Sequence, residues 1–148
     1  MKSNLNSFHL ENFFTIREGL WVSDDFKEYI SSVAKPIKKE VKTAFFDVFE
    51  KPMTDAEIRK SDSEDYVFKA SEFCLCLKDK IVAQSEGEDG ELLNNGFVNM
   101  FYVHGKNNKI IIVTIGWSTN LREWSVYLYR IDSHLWGKGN RVFYPTNT

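Results

Sequence analysis

The sequence predicts an α+β fold in which N-terminal helices pack on one face of a mainly antiparallel sheet whose C-terminal part is a meander. Three observations lead to this prediction. Apolar residues recur every three or four positions between residues 26 and 48, apolar and polar residues alternate in the later segments, and short Gly- and Asn-containing turns separate those segments. A chain of 148 residues with 43% hydrophobic residues is expected to form one domain, with residues 1–12 frayed.

The first predicted helix begins near residue 24 or 25. Ser23, Asp24 and Asp25 offer N-cap oxygens and first-turn negative charge, and Glu28 stands where a capping box places it. Before this point, an apolar segment around Gly19 fits either a short strand or an irregular segment packed under the sheet.

The helical pattern continues through an interruption at Pro36. The apolar positions that share one side are Phe26, Tyr29, Ile30, Val33, Ile37, Val41, Phe45 and Val48. Because proline removes a backbone donor and disfavours helical geometry at the preceding residue, we expect either two helices or one kinked helix, ending before Pro52. A second helix is predicted at Thr54, where Glu57 completes a capping box.

From Tyr66 the pattern changes to alternation, which predicts a strand over residues 66–77 and a second strand over residues 81–83. On a strand, Cys74 and Cys76 would project from one face, so a disulfide between them is not expected. Both are expected to be reduced core residues. The acidic, Gly-containing segment 85–96 is expected to be an exposed loop.

The C-terminal third reads as consecutive strands. Residues 97–104 and 109–117 flank a turn of hairpin composition at residues 105–108, and residues 122–132 follow a second turn. Residues 141–144 form the last predicted strand. In the third of these strands, Trp124 and Arg130 share one face, while Tyr127 and Tyr129 share the other.

Several function classes find no support in the sequence. Residues 110–117 form the most apolar run, which is far short of the roughly 20 residues of a membrane span. Residues 1–12 lack the apolar region of a secretory signal, so a cytoplasmic location is expected. No phosphate-binding loop, nucleophile elbow or metalloprotease motif occurs. An enzyme is therefore not favoured, although weak acid/base chemistry at His104 or His134 stays open.

Metal ions and cofactors are likewise not expected. The two cysteines and three histidines suffice in number for a zinc site, but their spacing does not match one. The acidic segment 85–96 lacks the ligand order of a calcium-binding EF-hand loop. A solvated loop is the better interpretation.

Charge is distributed unevenly along the chain. Residues 1–96 hold 13 Lys and Arg against 19 Asp and Glu, a net charge of −6, whereas residues 97–148 hold 6 against 2, a net charge of +4. Such asymmetry can orient a partner or an anionic ligand. Alternatively, the two parts of one domain only exchange charges across its surface.

Rings and cations concentrate in the C-terminal strands, where we expect any binding site to lie, because Trp, Tyr and Arg are enriched at interaction hot spots. The candidate residues are Trp117, Arg122, Trp124, Arg130, His134, Trp136 and Arg141. We expect the face that bears Trp124 and Arg130 to lie partly in solvent or to line a cleft.

Two functions fit these candidates. The first is a non-catalytic domain that binds a protein partner through this aromatic and basic face. The second is a domain that encloses a small molecule in a pocket between the helices and the sheet. Nucleic acid is disfavoured by the overall acidity of the chain and by the lack of a Lys/Arg stripe.

Overall fold

The computed structural model describes residues 13–35, 43–45, 48–59, 64–131 and 135–146. These residues form three α-helices and nine strands, which confirms the α+β class. In chain order the elements are β1 (Leu20–Val22), α1 (Asp25–Tyr29), β2 (Thr43–Phe45), β3 (Met53–Thr54), α2 (Asp55–Ile58), β4 (Val67–Lys69), α3 (Ala70–Ala83), β5 (Asn99–His104), β6 (Ile110–Ser118), β7 (Glu123–Arg130), β8 (Leu135–Trp136) and β9 (Arg141–Pro145).

Seven of these strands form one mixed sheet, with the order β1-β7-β6-β5-β9-β2 and with β4 also paired to β5. The central strands β5, β6 and β7 are antiparallel neighbours in chain order. The last strand does not continue that series, because β9 lies parallel to β5 on its other side. Two strands pair with this side of β5. Strand β9 pairs with its first half, and β4 pairs with its second half.

The sheet buries side chains on both of its faces. On the first face, Phe101 and Val103 of β5 lie under α3 and belong to the larger core cluster. On the second face, Met100 and Tyr102 belong to a smaller cluster with Ile58 of α2. Because side chains alternate along a strand, the apolar run of β5 and β6 serves two cores, which explains why it is apolar throughout.

The N-terminal helix is much shorter than predicted. Helix α1 ends at Tyr29, a 3-10 turn covers Ser31–Val33, and Ala34 is extended, with φ −81° and ψ 140°. Extended backbone just before Lys35 and Pro36 is what proline favours in the residues that precede it. The prediction of helix at residues 43–45 is wrong, because Thr43–Phe45 is a strand paired with β9. Residues 36–42 lie outside the described residues.

The predicted strand over residues 66–77 is correct only at its beginning. Strand β4 ends at Lys69, and residues 70–83 form the longest described helix, so the predicted strands at 70–77 and 81–83 are wrong. Cys74 and Cys76 therefore lie on a helix, where both are buried free thiols, as expected of core cysteines. Burial raises the pKa of the Cys74 thiol far above its usual range, which keeps it protonated and unreactive.

The predicted helix start at Thr54 is confirmed. Glu57 N donates to Thr54 Oγ1 over 3.2 Å, and the Glu57 carboxylate accepts the Thr54 backbone N–H over 2.8 Å, so both halves of a capping box are present. The backbone N–H bond from Thr54 is the largest cause of a lowered pKa at Glu57. The box fixes α2 directly after β3 and so positions Asp55 over the second face.

The acidic segment 85–96 carries no regular secondary structure, as predicted, but its backbone is held by buried amides. Gln84 is 3% exposed, and its side chain donates to the carbonyls of Glu88 and Leu92 and accepts the Leu92 N–H. Asn99, also buried, exchanges hydrogen bonds with Leu93. The loop therefore has a defined path while its acidic side chains face solvent.

Candidate functional site

Strand β7 holds the centre of the predicted site, and its two faces have different surroundings. Trp124 is 0% exposed and packs edge-to-face on Trp117, with ring centroids 5.2 Å apart. Its indole N–H donates to the Gln84 carbonyl over 2.7 Å. The expected exposure of the face that bears Trp124 and Arg130 is therefore wrong at Trp124, which is buried, and correct at Arg130, which is exposed and lines a cleft.

Trp117 is half-buried beside the same core, and the acidic loop packs against its indole. Gly87 has a φ of +74°, and a Cβ at this position would lie 2.2 Å from the Trp117 ring. Glycine is needed here both for the positive φ and for the close approach to the ring. Trp117 therefore mainly provides the surface on which the acidic loop packs.

The other candidates do not come together with these two. Arg122 lies in an exposed turn, 3.6 Å from the Glu86 carboxylate, and Arg141 donates to the Glu91 carbonyl over 3.0 Å. Both cations therefore contact the acidic loop. His134 lies outside the described residues. Arg130 is exposed at the far end of β7, and Trp136 lies on the second face of the sheet.

Trp136 takes part in a buried polar cluster that the sequence did not predict. Asp55 is 3% exposed, and its Oδ1 accepts the Tyr102 hydroxyl over 2.6 Å and the Trp136 indole N–H over 3.0 Å. The Arg59 guanidinium carbon lies 5.5 Å from the centroid of the Tyr102 ring. Burial, and then the Asp55 carboxylate, raise the pKa of Tyr102 well above its usual range. The phenol is therefore held as a neutral donor.

This polar cluster ties three elements together across the second face. Asp55 opens α2, Tyr102 belongs to β5, and Trp136 belongs to β8, so one carboxylate joins the small β3-β8 pair to the main sheet. Asp55 Oδ2 is buried and has no hydrogen-bond partner. The arrangement positions β8 next to the end of β7, where Trp136 meets Tyr129, and it leaves the second face of β7 partly uncovered.

On that uncovered part, aromatic side chains form a row that we call the aromatic surface: Trp21, Tyr127, Tyr129 and Trp136. Trp21 and Tyr127 have ring centroids 4.9 Å apart, and Tyr129 meets Trp136 edge-to-face at 5.5 Å. Tyr127 is 45% exposed and Tyr129 is 37% exposed. Large rings with exposed edges and paired faces can bury apolar area on a partner at low entropic cost.

An open cleft of about 890 Å³ lies next to this surface, at the end of β7. Its aromatic and charged lining consists of Asp25, Tyr29, Arg59, Lys109, Tyr129 and Arg130, over aliphatic residues of β6 and β7. Among the predicted site residues that the structure describes, Arg130 alone lines it. The described lining has two exposed cations, Lys109 and Arg130, against one exposed carboxylate, Asp25, which gives the cleft a basic character.

A second open depression, of about 680 Å³, lies at the end of β5 beside His104. Ser71 and Glu72 from the first turn of α3 share its lining. The Ser71 hydroxyl accepts the Lys35 backbone N–H over 2.7 Å, so it is engaged in holding the segment after α1.

The sequence did not show which face of β7 is buried. Alternation along residues 122–132 separates Trp124 from Tyr127 and Tyr129, but it does not show which set is buried. Trp21 was missed, although it lies between Leu20 and Val22, and such alternation of buried and half-buried side chains belongs to a strand with one exposed face. The Asp55 cluster joins residues 55, 59, 102 and 136, and no local pattern in the sequence indicates such a contact.

Comparison with known proteins adds no further assignment. No protein-family model matches the chain, and no curated protein and no solved structure is significantly similar to it. Among the helices of the described residues, none has both the length and the apolar character that crossing a membrane requires. Nor does the described part of the chain contain a group of three or more His, Cys, Asp or Glu residues that could hold a metal ion.

Proposed function

We propose that this protein is a non-catalytic binding domain that captures a protein partner through the aromatic surface and the basic cleft beside it. The observation that carries the proposal is the uncovered second face of β7, where Tyr127 and Tyr129 expose 45% and 37% of their surface within a row of four rings. Tyr, Trp and Arg are the residues most enriched among interface hot spots.

The shape of this region favours a macromolecule over a small molecule. Sites for small molecules are concave and bury most of the ligand, whereas the aromatic surface is a row of rings on a sheet, the groove beside Trp117 and Tyr127 measures only about 150 Å³, and the larger cleft of about 890 Å³ is open to solvent. Exposed apolar patches with a polar rim are typical of protein interfaces. The two buried free thiols also support our proposal that the protein works in the reducing cytoplasm.

The test is affinity capture from native lysate with three forms of the full chain: wild type, the double variant Tyr127→Ser and Tyr129→Ser, and the matched control Leu121→Ser. Leu121 is 69% exposed in the turn between β6 and β7, so the control removes exposed apolar area away from the aromatic surface. We expect proteins that bind wild type and the control to be depleted about tenfold or more by the double variant, the effect of losing one hot spot. Equal capture by all three forms would refute the proposal.

A further inference from the structure

We infer that the partner binds by strand addition, with an acidic, extended segment pairing along the free edge of β7 at Leu128 and Arg130. This inference rests on the proposed function and specifies its geometry. Strand addition uses the backbone groups of an exposed sheet edge for affinity and neighbouring pockets for specificity.

The edge of β7 is occupied only over its first half. Strand β1 pairs with Trp124–Val126, and its last contact is the Ser23 N–H, which donates to the Val126 carbonyl over 3.0 Å. After Ser23 the chain turns into α1. Among the strands that the structure describes, none pairs with β7 beyond Val126 on this side.

The direction of the free backbone groups follows from those contacts. The Trp124 N–H donates to the Gly19 carbonyl over 2.9 Å, so the backbone groups of Trp124 and Val126 point toward β1 and away from β6. Successive residues of a strand direct their backbone groups to opposite sides. Tyr127 and Tyr129 therefore pair with β6, whereas the N–H and C=O groups of Leu128 and Arg130 point out of the sheet.

There is room beside this edge for another strand. The cleft of about 890 Å³ lies between α1 and β7, with Tyr29 on one side and Leu128 on the other. The four residues from Tyr127 to Arg130 span roughly 13 Å at about 3.3 Å per residue. An incoming segment of similar length would pair with Leu128 and Arg130 and would place alternate side chains in the cleft and on the aromatic surface.

Charge selects the chemistry of the segment. Arg130 pairs with Ile111 across the β6-β7 ladder, and Lys109 lies two residues before Ile111 on the same face, so both cations lie on the first face at this end of the sheet. Arg59 also lines the cleft but is buried, and Asp25 is the one carboxylate among the described lining residues. A second copy of this chain would bring a second Arg130 and Lys109 to the edge, so like charges oppose edge-to-edge dimers. An acidic segment is attracted instead.

The first experiment tests the edge without a partner, by hydrogen exchange of the free chain measured by NMR. The amides of Leu128 and Arg130 should exchange rapidly, while those of Tyr127 and Tyr129 should be protected by β6. Protection of Leu128 and Arg130 equal to that of their neighbours would show an edge that is already paired and would overturn the inference.

The second experiment selects a displayed library of random 12-residue peptides on the full chain. Enriched peptides should alternate Asp or Glu with apolar residues, and adding one should slow exchange at Leu128 and Arg130. Leu128→Pro removes the outward N–H at an edge position that tolerates proline, and it should abolish binding. Leu128→Val keeps that N–H and should bind like wild type. Arg130→Glu should weaken binding about tenfold or more even if the proline variant does not fold.

Failure of the inference is distinguishable from failure of the proposed function. If selected peptides or captured proteins are lost with Tyr127→Ser and Tyr129→Ser but retained with Arg130→Glu, and Leu128 stays unprotected in the complex, strand addition is wrong and the aromatic surface stands. If no variant of β7 changes binding, both are wrong. Peptides without acidic residues, or a dimer of the free chain in sedimentation that Leu128→Pro dissolves, would also overturn the inference.

Discussion

At the scale of single residues, neighbouring positions of β7 differ in burial, because side chains on one face lie in the core and those on the other are exposed. Trp124 is the largest fully buried side chain, and its indole N–H is satisfied by Gln84, so replacing it would disrupt the core. Tyr127 points to the opposite face, where the ring is exposed. Variants that test the aromatic surface must therefore be placed at Tyr127 and Tyr129 and not at Trp124.

The buried Tyr102 hydroxyl predicts a specific loss of stability in alkali. Because burial and Asp55 raise the pKa of Tyr102, the folded state holds this proton more tightly than the unfolded state does. Its contribution is complete below pH about 10, where tyrosines of the unfolded chain begin to ionise, and declines above that pH by as much as about 1.4 kcal/mol per pH unit. Denaturant unfolding followed by circular dichroism at pH 8 and pH 11 measures the decline.

Comparing two Tyr→Phe variants isolates this group from the other tyrosines. Tyr102→Phe should lower the free energy of unfolding at pH 8 by roughly 1–3 kcal/mol, because Asp55 loses a donor in a buried site, and it should flatten the alkaline decline. Tyr127→Phe, at an exposed ring, is the control and should leave both quantities close to those of wild type. An alkaline slope that is identical in all three proteins would contradict the assignment.

At the scale of elements, the acidic loop depends on one amide. Gln84→Ala would leave the Leu92 N–H and two loop carbonyls without their partners, so we expect a loss of roughly 2–4 kcal/mol in the free energy of unfolding. Thermal and denaturant unfolding measure it. Ser85→Ala, at the exposed neighbouring position, should change stability by less than about 0.5 kcal/mol. Equal stability of the two variants would show that the loop is not held in this way.

Helix α3 shows why an element was mispredicted. Its buried residues Ala70, Phe73, Cys74, Leu77 and Ile81 follow helical spacing, yet the same stretch also alternates well enough to resemble a strand. Both patterns fit because residues on more than one side of the helix are buried, including Cys76. The short strand β4 directly precedes the helix, and the alternation of its residues contributed to the strand prediction. Periodicity alone cannot separate the two structures in such a run.

The N-terminal pattern failed for a different reason. Apolar spacing stays in phase from Phe26 to Val48, but α1 ends at Tyr29, and Thr43–Phe45 pairs with β9 instead, so strand pairing overrides the helical spacing. The cap at Thr54 and the turn after Gly105 were predictable because their signals are local, whereas the predicted side-chain cap at the start of α1 does not form. The pairing of β9 with β5, and the meeting of Asp55 with Tyr102 and Trp136, join residues far apart in sequence and leave no local signal.

At the scale of the whole molecule, the charge asymmetry of the sequence becomes an asymmetry between the two ends of β6 and β7. The acidic loop packs near Trp117, where Glu86 lies beside Arg122 and the Glu91 carbonyl accepts a hydrogen bond from Arg141. The cations at that end are thus offset by the loop, as expected if two parts of a domain exchange charges. At the other end, Lys109 and Arg130 line the cleft, and Arg130 belongs to the strand with the free edge. The basic character that remains is located where we propose that the partner binds.

This arrangement predicts how the association rate constant of a selected acidic peptide depends on salt. Charges at the end of β7 should steer the encounter, so the rate constant should fall several-fold as ionic strength rises from about 50 to about 500 mM, because screening acts within a Debye length of about 10 Å or less above 0.1 M. Stopped-flow fluorescence measures it.

The double variant Lys109→Gln and Arg130→Gln should remove most of the salt dependence. Neutralising Glu86 and Glu88 at the opposite end should preserve it, because the eight residues of β7 span roughly 26 Å at about 3.3 Å per residue, which is more than the Debye length. A salt dependence that followed the acidic loop instead would place the encounter at the other end of the sheet.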